Sequence, residues 1–64
     1  MSKMTKAQAA DLVARLDAGK TLSNKDFERM GFGFEAFLKY GQLPPVSAGM
    51  VHAKVRAVAV EIAA

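Results

Sequence analysis

His52 is the only imidazole in the chain, there is no cysteine, and six carboxylates complete the set of groups that could work as acids, bases or nucleophiles. General acid–base or nucleophilic catalysis needs such groups to converge within hydrogen-bond reach of one reacting atom. Here the helical periodicity described below spreads them over different faces, so the sequence predicts no catalytic set and no enzyme. A lone histidine supplies one ligand where a zinc site takes three or four, and no cofactor is expected. Gly31-Phe32-Gly33 has two glycines but neither the third glycine nor the Lys-Ser/Thr of a phosphate loop, and it follows a helical pattern instead of a strand.

Binding is the remaining chemistry. Nine Lys and Arg against six Asp and Glu give a net charge of +3 and a pI near 9.6, compatible with nucleic acid or with an acidic protein patch. The cations form no block, which is the pattern of a solvated surface. Within residues 22–45, Met30-Gly31-Phe32 and Gly41-Gln42-Leu43-Pro44 stand where the excisionase-type helix-turn-helix has its turn and its exit, and the segment resembles that family. The resemblance implies a small DNA-binding transcriptional regulator in which Lys25, Arg29, Lys39 and Gln42 meet the duplex. It ranks second, because Gly33-Phe34-Glu35-Ala36 opens the would-be recognition helix with a carboxylate and no base-reading side chain.

The elements that would position these residues are marked by local signals. Thr5-Lys6-Ala7-Gln8 is a capping box, followed by Ala9, Leu12, Val13 and Leu16 at the i, i+3, i+4, i+7 spacing of one helical face. A helix is expected from about Lys6 to Ala18, with Gly19 as a left-handed stop. Ser23-Asn24-Lys25-Asp26 starts a second, short helix that ends at Gly31, where Phe27 and Phe32 would make the apolar contact of a Schellman motif. A third runs from Gly33 to Gly41 with Phe34, Phe37 and Leu38 on one face. Leu43-Pro44-Pro45-Val46 reads as extended, Ser47 as a cap, and Ala48 to Ala63 as the last helix. Its stripe Val51, Val55, Val58 and Ile62 would face the core.

The fold class predicted is therefore all-α: one small four-helix domain over residues 1–64, residues 1–4 being a flexible N-terminus. Two longer helices stand at the ends and two short ones lie between them in a helix-turn-helix-like arrangement. The core would hold Phe27, Phe32, Phe34 and Phe37 against Leu12, Leu16, Val55 and Val58. Left over are Tyr40 and a second apolar face on the last helix, Met50, Ala53, Ala57 and Val60. A helix apolar on two sides is surrounded or paired. The leading functional expectation is accordingly a non-enzymatic protein-binding module, a regulator or inhibitor that docks on a larger complex through Tyr40, Met50, Ala53, Ala57 and Val60. In general character it is similar to small phage-encoded host-takeover proteins, anti-CRISPR proteins among them. A protein partner, a homodimer through the C-terminal helix and, on the second reading, nucleic acid are the partners expected. Charges interrupt every apolar run well short of about 20 residues, so no membrane span is expected, and with no signal peptide in MSKMTK the expected location is cytoplasmic.

Overall fold

Thr5 and Ser23 start helices by the same reciprocal chemistry. The structure, a computed structural model, describes residues 4–64. The Thr5 hydroxyl accepts the Gln8 backbone N–H at 3.1 Å, and the Gln8 side-chain carbonyl accepts the Thr5 N–H at 3.0 Å. Two donors that a helix N-terminus would otherwise leave orphaned are thereby satisfied. This opens α1, Lys6–Asp17. Ser23 and Asp26 repeat the arrangement at α2, Asn24–Arg29, with the Asp26 carboxylate accepting the Ser23 N–H at 2.9 Å. α3 is Phe34–Gly41 and α4 is Pro45–Ala63. The described residues thus form four helices and no strand, the two longer ones at the ends as the sequence predicts. None is long and apolar enough to cross a membrane.

Both glycine stops are present. Gly19 and Gly31 have φ of +81° and +89°, a region that side chains with a Cβ disfavour. The Phe32 N–H reaches back to the Phe27 carbonyl at 2.9 Å and the Gly31 N–H to that of Glu28 at 3.0 Å, the paired bonds of a Schellman motif. The Phe27 and Phe32 rings meet edge to face at 6.1 Å.

Two boundaries differ from the expectation. α4 starts at Pro45 and not after Ser47, with Pro44 as its extended N-cap. Proline suits the first helical position because its missing N–H would have had no partner there and its φ is already helical. Val46 and Ser47 are consequently helical. Met4, assigned with residues 1–3 to a flexible N-terminus, is buried in the core. It occupies the position before the cap Thr5, and Ala9, four residues after the cap, is buried with it. Leu22 and Phe27 stand in the same relation to Ser23 and are also buried, the staple pattern that fixes how a chain enters a helix. Residues 1–3 lie outside the described residues.

The main interface packs α1 on α4, while α2 packs on α3. Ala9, Leu12 and Ala59 are almost fully buried, with Leu22, Phe27 and Tyr40 around them and Val51, Val55 and Ile62 partly covered. The expected core position Val58 is 47% exposed. Its neighbour Ala59, about 100° further round the helix, takes the buried place, since a methyl group lets α1 and α4 approach where a valine would hold them apart. The molecule is flattened, its shortest extent 14 Å against 30 and 23 Å, and a domain this small leaves part of its large side chains uncovered. Two of the four phenylalanines expected inside, Phe32 and Phe34, are in fact 54% and 56% exposed.

Candidate protein-binding surface

Two arginine–aspartate pairs hold helices together. Arg15 on α1 donates to both carboxylate oxygens of Asp26 on α2, at 2.9 and 2.7 Å, and to Asp11 one turn back at 2.8 Å. The Asp26 side chain is 1% exposed. Burial pushes its carboxyl up, but the Arg15 hydrogen bonds and those from Ser23 outweigh this and hold it below the ordinary carboxylate value. Arg56 on α4 pairs with Asp17 at the end of α1 at 2.8 and 3.2 Å, and hydrogen bonding to that guanidinium holds the Asp17 carboxyl low as well. Among the described residues no group of histidines and carboxylates could hold a metal ion.

Tyr40 is corrected from a contact residue to a core residue. Its ring lies 5.3 Å from that of Phe27, and its hydroxyl accepts the Leu22 N–H at 3.0 Å and is hydrogen-bonded to His52 Nε2. A buried hydroxyl needs such partners. Here it ties the loop before α2 to α3 and, through His52, to α4.

Two apolar surfaces remain. The first is a shallow groove of about 360 Å³ lined by Met30, Phe32, Lys54, Val55 and Val58. Its wall Phe32 rests on Phe27, which also touches Phe37 at 5.8 Å, and Phe37 in turn carries the half-exposed Phe34 at 6.0 Å. Leu38, on the same helix as Phe34, is equally open. The second surface is the outer side of α4, where Met50 is 63% exposed and Ala53, Ala57 and Val60 all face solvent, as expected. Val46, whose helical placement brings it onto this side, is 79% exposed.

The groove was not identified from the sequence, which assigned Phe32, Val55 and Val58 to the interior. The signal that could have found it is numerical: more large apolar side chains than so small a domain can cover. Of the residues expected on DNA, Lys25, Lys39 and Gln42 are exposed and Arg29 is half-buried. Lys25 and Arg29 are on α2, Lys39 is in the last turn of α3 and Gln42 is its C-cap. Comparison with known proteins finds no matching family model, no matching curated protein and no matching solved structure.

Proposed function

We propose that this chain is a non-enzymatic protein-binding module, a small regulator or inhibitor of the kind phages encode, that docks on a larger protein through the groove and the aromatic side chains beside it. The observation that supports this best is the half-exposure of Phe32 and Val58 in the wall of the groove, with Phe34 and Leu38 open on α3 as well. Scattered apolar residues on a surface need no explanation, but large ones lining a concavity are the usual anchors of a protein interface. The partner presents an apolar ridge. With a net charge of +3 on the chain and Lys39 next to Leu38, acidic side chains flank that ridge, since opposite charge steers encounter and selects the partner.

Duplex binding through Lys25, Arg29, Lys39 and Gln42 draws less support. The exposed residues of α3 are Phe34, Glu35, Leu38, Lys39 and Gly41, so a helix laid in the major groove would bring one cation, one carboxylate and two apolar groups to an anionic surface. Selection of peptides from a random displayed library separates the readings. Enriched peptides are expected to carry apolar residues at helical spacing with Asp or Glu beside them, and to lose at least about tenfold in affinity to Val58→Lys or Phe34→Glu. The same chain should bind duplex DNA no better than the non-specific range of about 10⁻⁴ to 10⁻⁶ M at physiological salt. Tight, sequence-selective duplex binding, weakened by Lys39→Ala and untouched by Val58→Lys, would overturn the proposal.

A further inference from the structure

The outer side of α4 has a more specific pattern than a generic apolar face. Val46, Met50, Ala53, Ala57, Val60 and the C-cap Ala64 follow one another at alternating steps of four and three residues, and all six are exposed. An average step of about 3.5 residues is the a/d repeat of a coiled coil, whereas packing on a globular core requires only a broad stripe. The core side of α4 is already served by Val51, Val55, Ala59 and Ile62, so this seam is additional.

Charges beside the seam specify what covers it. Lys54 and Glu61 flank it on one side, each directly following a seam residue, and neither takes part in an ion pair among the described residues. Seven residues apart, they are about 10 Å from each other along the helix, too far to pair. Arg56, on the other flank, is already held by Asp17. In an antiparallel pair of helices like flanks face each other, which brings Lys54 opposite Glu61 of a second copy, twice by symmetry, with Ala57 stacked on Val60. A parallel pair would put Lys54 opposite Gly49 and Glu61 opposite the occupied Arg56. Flank charges of this kind set partner and orientation in coiled coils, and alanines at the centre allow close approach of the backbones.

We infer that the chain forms a two-fold dimer through an antiparallel pairing of α4, in the register that sets Lys54 against Glu61 of the second copy. Lys54 also lines the groove, whereas Ala57 and Glu61 do not, so Ala57→Glu and Glu61→Lys are the variants that separate this pairing from the proposed function. Sedimentation equilibrium on the full chain tests it. The unmodified chain is a dimer with a dissociation constant in the micromolar range, about 8 kcal/mol, and Ala57→Glu is a monomer at about 100 µM with unchanged helical circular dichroism. Glu61→Lys weakens the dimer about tenfold, and the double exchange Lys54→Glu with Glu61→Lys restores it. An unmodified chain monomeric at about 100 µM, a dimer that survives Ala57→Glu, or a double exchange no tighter than Glu61→Lys alone would each overturn the inference.

Discussion

Arg15→Ala is expected to remove a large part of the protein's stability at neutral pH. The substitution removes two hydrogen bonds, at 2.9 and 2.7 Å, from a carboxylate whose side chain is 1% exposed. Breaking one side of a buried ion pair costs about 3–5 kcal/mol, because the remaining charge is neither solvated nor paired. A domain of this size has only about 3–10 kcal/mol of stability in total. Urea titration followed by circular dichroism measures the loss. The pH dependence gives a second, more specific readout. In the unmodified chain the net effect of burial and hydrogen bonding holds the Asp26 carboxyl below its ordinary value, so its contribution is fully present above about pH 4. It is lost as the pH falls through the depressed folded value. Without Arg15 the burial effect faces only Ser23, the carboxyl moves up, and the variant recovers stability as the pH approaches about 4. A variant as stable as the parent at pH 7 would show that Arg15 does not hold Asp26.

Phe27→Ala is the second large loss. Phe27 is the aromatic centre of the fold, with ring centroids of Phe32, Phe37 and Tyr40 at 6.1, 5.8 and 5.3 Å, and it is 6% exposed. Truncating a buried phenylalanine costs about 3–5 kcal/mol, part transfer and part cavity. It also removes the apolar contact of the Schellman stop and the staple against Leu22, so the end of α2 loosens. Phe34→Ala, by contrast, should cost less than about 1 kcal/mol, as surface substitutions do. Thermal melting of the two variants side by side reads the difference. Equal losses would mean that Phe34 is as much a part of the core as Phe27, and would remove it from the binding surface.

That contrast also marks where the sequence is legible. The Thr5 and Ser23 boxes and the Gly19 and Gly31 stops are set by hydrogen bonds within six residues, so residue type and spacing suffice to find them. The outer face of α4 is equally plain, because it follows from a periodicity along one helix. Arg15 with Asp26 is not local: the pair spans eleven positions and two helices, and Arg15 sits on what a single-helix reading takes as the wet side. The preference for Ala59 over Val58 in the core depends on how near α1 comes, which no property of α4 alone contains. The exposure of Phe32 and Phe34 depends on the size of the finished domain. Periodicity shows that a side chain is apolar and which way it points on its own helix; whether anything lies there is decided by the other three helices.

The central claim is that the groove and its aromatic border are where a protein partner sits. Photo-crosslinking tests this most directly, with benzoylphenylalanine placed in turn at Phe32, which lines the groove, and at Lys25, on α2, in cells that express the chain. The account predicts that position 32 yields one predominant polypeptide adduct, lost when Val58→Lys is added, and that position 25 yields none. Adducts to nucleic acid from Lys25, or the same polypeptide from both positions regardless of Val58→Lys, would contradict it.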